Sequence, residues 1–246
     1  MIFTIAGREL KGLFLSPLAW AILAVVQIIL AFLFLSHIEA YQLLQPQLLA
    51  MKSSAGVTEL VVGRLLGSAA IVLLLVVPLL TMRLISEERR NRTLTLLFSA
   101  PVSMTEIVLG KYLGVIAFIG TVLALIALMP LSLAGSTTLD AGMVASGLLG
   151  LTLLVAGFVA VGLFMSTLTQ YPVVAAITTF GVLLLFWLLD WSGDKSSLFA
   201  YLSLLNHYEP FLRGNFDSAD AAYYVLFITT FLVLSVRRLD ADRLGG

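Results

Sequence analysis

The chain has 246 residues, of which 60% are hydrophobic and 11% charged, and its 14 basic residues balance its 14 acidic ones at a mean hydropathy of +1.07. Soluble domains carry roughly 45–50% apolar residues, so this composition is that of a membrane protein, and a net charge of zero without an extended basic tail argues against nucleic acid as a partner. Cysteine is absent, which excludes a disulfide framework and thiolate metal sites.

The first sixteen residues place Arg8, Glu9 and Lys11 ahead of an uncharged run starting at Leu13, and no small-residue cleavage site with a polar continuation follows. The first run is therefore expected to be a retained helix rather than a signal peptide. Crossing a bilayer core of about 30 Å takes about 20 largely apolar residues in a helix. Charge-free runs of that kind predict spans over 18–36, 60–84, 105–131, 142–166, 172–190 and 221–237. Between Asp140 and Asp190 lie 49 uncharged residues, enough for two spans joined at "TLTQYP", 167–172, with Pro172 suited to the first turn of the second. The last run is short, and interfacial Tyr223 and Tyr224 together with snorkelling arginines extend it.

Six spans put both termini on one side. If that side is the cytoplasm, Arg8, Lys11, Arg83, Arg89, Arg90, Arg92, Lys111, Arg237, Arg238 and Arg243 lie inside and only Lys52, Arg64, Lys195 and Arg213 outside, as the positive-inside rule asks. Trp20, Trp187 and Trp191 then fall near expected interfaces. The fold class is an all-α membrane protein, multi-pass, with both termini cytoplasmic.

No acidic residue or histidine falls in the middle of an expected span. Ion-driven transporters normally keep such groups on their pathway, and an intramembrane protease would need a zinc pattern or paired aspartates. Gly110-Lys111 lacks the flanking residues of a phosphate-binding loop, and no catalytic or metal-ligating residue is assigned. Small residues at Gly63 and Gly67, Gly110 and Gly114, and Gly142, Gly147, Gly150, Gly157 and Gly162 allow close helix approach, either within one bundle or at a dimer seam.

The densest charge in the chain is "SEERRNRTLTLLFSAPVS", 86–103. Ser86 followed by Glu87 and Glu88 reads as a helix start, with a capping hydroxyl and two acids on the positive end of the dipole. Arg89, Arg90 and Arg92 follow, then Leu94, Leu97 and Phe98 at helical spacing. An amphipathic helix over 86–99 is expected, ended by Pro101, with Ser103 to Glu106 as a capping box opening the third span. A topology anchor would gain little from the acids and nothing from an apolar edge, whereas both suit a surface that docks another protein. Charge reversal at Arg89 and Arg90 is accordingly expected to spare insertion and uncouple the partner.

Here the residues resemble a known family. Glu88, Arg89, Thr93, Leu97, Pro101, Val102 and Ser103, followed by Gly110-Lys111-Tyr112-Leu113, look like the cytoplasmic coupling helix of ABC-2 type transporter permeases. "RELKGLFLSPLAW", 8–20, is similar to that family's N-terminal amphipathic helix, which implies an interface helix over 1–16, and 207–243 is similar to the closing region of its gliding-motility-type branch. One position departs: members usually carry Gly just before the Thr, and this chain carries Arg92. The resemblance implies a permease subunit of the bacterial cytoplasmic (inner) membrane, expected to export. It would work with two copies of an ATP-binding cassette ATPase, which hold ATP and Mg, and with a second permease copy or paralogue. No cofactor is expected on this chain. Ser86, Glu87, Glu88, Arg89, Arg90, Arg92, Thr93, Leu94, Leu97, Phe98 and Pro101 would couple the ATPase to the spans.

The first outer loop, His37 to Thr58, includes "QLLQPQLLAM" and could contact a periplasmic or membrane-anchored accessory subunit or pack on the bilayer. In the extracytoplasmic segment 191–220, Leu198, Tyr201, Leu202, Leu205, Tyr208 and Leu212 follow helical spacing. A surface helix is one account; the family suggests a re-entrant hairpin, with Leu202, Leu205, His207, Tyr208 and Phe211 as gate residues. His207, Glu209, Asp217 and Asp220 match no standard ligand spacing. The alternatives to an ATP-driven exporter are the same machine doing mechanical work on an extracytoplasmic partner, an ion-independent secondary transporter or channel, and a membrane enzyme, which would need convergent polar groups within the spans.

Overall fold

A computed structural model describes residues 1–50, 56–93, 102–133, 135, 139–189 and 201–245, and among them there is no strand. The helices are α1 (Ile2–Leu15), α2 (Pro17–Ala50), a π-helical turn (Thr58–Gly63) running into α3 (Arg64–Thr81), α4 (Ser86–Arg90), α5 (Met104–Leu131), α6 (Ala141–Leu168), α7 (Pro172–Leu188), α8 (Leu204–Leu212) and α9 (Ser218–Gly245). Five stretches, Pro17–Pro46, Thr58–Arg90, Met104–Leu131, Ala141–Leu168 and Ser218–Leu244, are long and apolar enough to cross a membrane. The sixth expected span, α7, has 17 residues, about 26 Å at 1.5 Å per residue.

Element boundaries follow local chemistry. Ser103 accepts from the Glu106 amide while the Glu106 carboxylate accepts from the Ser103 amide, a reciprocal box that opens α5. The Asp140 side chain caps α6 through the amides of Gly142 and Met143, and Pro172 occupies the first turn of α7. Two expectations need correcting. Residues 37–50 are helix rather than an outer loop: α2 continues through Pro46 for 34 residues, about 51 Å, with Phe34 packed against Val61 and Leu65. The last helix is also longer than the span expected over 221–237, because α9 runs from Ser218 to Gly245.

Helix α6 is the centre of the bundle, with α3, α5, α7, α8 and α9 packed around it. Its glycines explain how. A methyl at Gly150 would come within 2.5 Å of Phe211, and one at Gly147 within 2.6 Å of Leu66, so these positions admit neighbouring side chains of the same chain. Gly110 and Gly114 of α5 do the same for α1, facing Ile5 and Glu9 at 2.7 Å. The small residues of α5 and α6 are thus used within the chain, the first of the two uses the sequence allows.

Candidate functional site

The charged stretch sits where the ends of α1, α5, α6 and α9 converge. Helix α4 has only five residues, too few to hold itself together, and its cap comes from elsewhere. Ser86, expected to be the cap, instead donates its hydroxyl to the Met82 carbonyl. The Ser166 hydroxyl at the end of α6 accepts from the amides of Ile85 and Ser86, both at 3.0 Å, and donates to the Met82 carbonyl at 3.2 Å. Two of the orphan donors at the start of α4, the amides of Ile85 and Ser86, are therefore satisfied by a neighbouring helix. Glu87 and Glu88 at its first turn and Arg89 and Arg90 at its last complement the dipole.

The expected helix over 86–99 is interrupted. Arg92 has φ 55°. The Thr93 amide donates to the Glu88 carbonyl at 3.0 Å and the Arg92 amide to the Arg89 carbonyl at 3.2 Å. Those two bonds form a Schellman stop, which places its C′ residue, here Arg92, in the left-handed region. This is the conformation glycine adopts without cost, and it is the position at which the chain carries Arg in place of the family's usual Gly. Leu94, Leu97, Phe98 and Pro101 lie outside the described residues.

The stretch has two faces. On the inner one, Glu88 reaches Lys111 of α5 at 2.9 Å and Glu9 of α1 reaches the same ammonium at 3.0 Å. Only 6% of the Lys111 side chain is exposed, against 24% of Glu9 and 25% of Glu88, so a buried cation holds two partly shielded carboxylates. Arg89 donates to the Thr167 carbonyl of α6 at 2.8 Å and pairs with Asp242 of α9, which Arg238 also approaches at 3.5 Å. On the outer face Glu87, Arg90, Asn91, Arg92 and Thr93 are exposed. Arg89 and Arg90, both expected on the docking surface, are placed apart: Arg89 is built into the bundle and Arg90 faces outward. Sequence reasoning placed Lys111 in the motif without its partners, and it missed Glu9, Ser166, Thr167 and Asp242, each remote in sequence from the segment it holds.

At the opposite end, α8 is inserted between α3 and α6. Leu204, Tyr208 and Phe211 are fully buried, and the Tyr208 hydroxyl donates to the Leu66 carbonyl at 3.0 Å. Burial pushes the Tyr208 phenol well above its ordinary pKa, which keeps it a neutral donor. The buried stripe is Leu204, Tyr208 and Phe211 rather than the Leu202, Leu205, Tyr208 and Leu212 series, because Ser203 caps the helix and sets its register. Of the expected gate residues, Tyr208 and Phe211 enter the bundle, Leu205 is half-buried and Leu202 is exposed. His207 pairs with Asp220 at 2.6 Å and with the Tyr201 carbonyl at 3.1 Å, and stacks on Tyr223 at 3.9 Å. Among the described residues no three His, Asp or Glu side chains converge as a metal would need.

Both ends of the chain thus meet the charged stretch: α1 through Glu9 and α9 through Asp242. The family model for ABC-2 family transporter proteins matches residues 3–213. This chain belongs to that family. An ABC-2 permease is the transmembrane component of an ABC transporter and generally works with an ATPase partner. The match ends at residue 213, ahead of most of the closing region, and so supports the family and not the gliding-motility-type branch. No curated protein matches the sequence.

Proposed function

We propose that this permease is the membrane half of an ATP-driven exporter of the bacterial cytoplasmic membrane, and that residues 86–93 receive the ATP-hydrolysing subunit. The observation carrying this reading is the two-faced stretch: exposed Glu87 and Arg90 outside, and ties from Glu88 and Arg89 to α1, α5, α6 and α9 inside. A push on the outer face reaches four helices through buried charge-assisted contacts, each stronger than a neutral hydrogen bond. ATP and Mg belong to the partner, present in two copies, and a second permease completes the pathway. The end carrying the stretch faces the cytoplasm, in line with ten of the fourteen basic residues. Export rather than import follows the family resemblance, and the inserted α8 is the natural outer gate, with Tyr208 and Phe211 as its anchors.

The test is co-purification from native membranes in mild detergent. Wild type is expected to bring down an ATPase, and the double reversal Glu87→Lys with Arg90→Glu to lose it while eluting unchanged on size exclusion. Full recovery of the ATPase with the reversed variant, or no nucleotide hydrolysis with wild type, overturns the docking assignment.

A further inference from the structure

Among the described residues, polar side-chain contacts tie α9 to other elements only near its two ends. At the outer end the Asp220 carboxylate pairs with His207 of α8 at 2.6 Å. One turn further on, the Tyr223 hydroxyl donates to the Leu202 carbonyl and the Tyr224 hydroxyl to the Leu204 carbonyl, both at 2.8 Å. These carbonyls stand on either side of Ser203, the residue that caps α8, so α9 fixes the entry of the inserted helix. At the inner end Asp242 pairs with Arg89 of the charged stretch, and Leu239 is buried one turn before it. Between Tyr224 and Arg237 the polar side chains are Thr229, Thr230 and Ser235, and their hydroxyls return to carbonyls of α9 itself. We infer that α9 carries displacement of the charged stretch to α8, with Asp220, Tyr223 and Tyr224 as the positioning residues that hand it on.

The helix is built for that task. Asp220 and Asp242 lie about 33 Å apart along one uninterrupted helix. No proline or glycine stands between them, and those are residues at which helices commonly kink. The middle of α9 packs through apolar rings, Phe227 on Phe186 of α7 and Phe231 on Phe164 of α6. Such packing is non-directional and lets the helix shift as a unit, whereas the hydrogen bonds at its ends have a required geometry. It also lies at the edge of the bundle, with Val225, Leu226, Val233 and Leu234 exposed. Helix α6 touches both ends too, but α3, α5, α7 and α8 also pack on it, and it meets α8 by seating Phe211 on Gly150. The inference rests on the docking reading for what moves the stretch, while the coupling between the two ends is a property of this chain alone.

The experiment is a double-variant cycle on the full chain in lipid nanodiscs, read by the rate of thiol labelling at a single Leu205→Cys on α8. Asp242→Asn cuts the inner tie and is expected to raise that rate about fivefold, the low end of coupling between distant sites. Asp220→Ala with Tyr223→Phe and Tyr224→Phe severs the outer clamp. In that background Asp242→Asn is expected to change the rate by no more than about twofold, as for independent sites. Two controls separate transmission from general loosening. Asp242→Asn is expected to leave labelling at Ala6→Cys on α1 unmoved, and Arg243→Gln, at an exposed position beside Asp242, to leave labelling at Leu205→Cys unmoved. A rise of less than about twofold with Asp242→Asn overturns the proposal. So does a full rise in the severed background, an equal rise at Ala6→Cys, or an equal rise with Arg243→Gln. The cycle needs no ATPase and reads out whether or not one co-purifies, so failure of the link is told apart from failure of the docking assignment.

Discussion

Replacing Lys111 with methionine keeps the aliphatic stem and removes the charge that joins α1, α4 and α5. Both carboxylates, at 2.9 and 3.0 Å from the ammonium, are then left without their counter-ion. Removing one partner of a buried ion pair costs roughly 3–5 kcal/mol. Glu9 and Glu88 keep about a quarter of their side-chain exposure and can turn partly toward water, so the low end applies, about 3 kcal/mol. That corresponds to about a hundredfold in the equilibrium for detaching α1. The chain has no cysteine, so a single Ala6→Cys on α1, beside Gly114, reports detachment through its rate of thiol labelling. The Lys111→Met background is expected to raise that rate by about two orders of magnitude and to lower the melting temperature in detergent. Adding Glu9→Gln and Glu88→Gln removes the stranded charges and is expected to restore most of the loss. Labelling within about twofold of wild type, or a triple variant no more stable than the single one, would refute the idea that this cluster carries the junction.

Three further outcomes follow from the same geometry. Arg92→Gly relieves a left-handed residue at φ 55°, so unfolding in detergent should show stabilisation of up to about 1 kcal/mol, reduced by the greater freedom of glycine in the unfolded chain. Gly114→Val would drive a side chain into the Ala6 carbonyl, already 2.9 Å from where a Cβ would sit, and should release α1 in the labelling assay at a cost of roughly 1–3 kcal/mol. Tyr208→Phe loses its hydrogen bond to the Leu66 carbonyl and should cost about 1 kcal/mol, whereas Phe211→Ala empties a fully buried site and should cost about 3–5 kcal/mol in the same measurement.

What the sequence disclosed was whatever is written locally. The apolar runs are one-dimensional signals because the bilayer imposes a length. The capping box at Ser103 and Glu106 and the proline at the start of α7 are local chemistry, and both stand in the structure. The stretch past residue 36 reads as a loop because the charge-free run from Leu18 ends at Leu35. Yet a helix that begins in a bilayer can run on beyond it, and Ile38 and Tyr41, packed against Phe34, Val61 and Leu65, support the extension from the side.

The site was legible only in part, for a physical reason. Its exposed half, Glu87 and Arg90, is a pattern along the chain. Its buried half is a set of pairings across separations such as Arg89 to Asp242 and Lys111 to Glu9, which no periodicity encodes. The end of α4 shows the same limit at close range. A glycine at position 92 would have announced a helix stop, and the arginine that stands there hid it, although the backbone closes the helix with the same two hydrogen bonds. The stop leaves residues 92 and 93 exposed just after Glu88 and Arg89 have been pulled into the bundle. The same five-residue helix is therefore anchored on one side and open on the other, which is what the docking role proposed above requires.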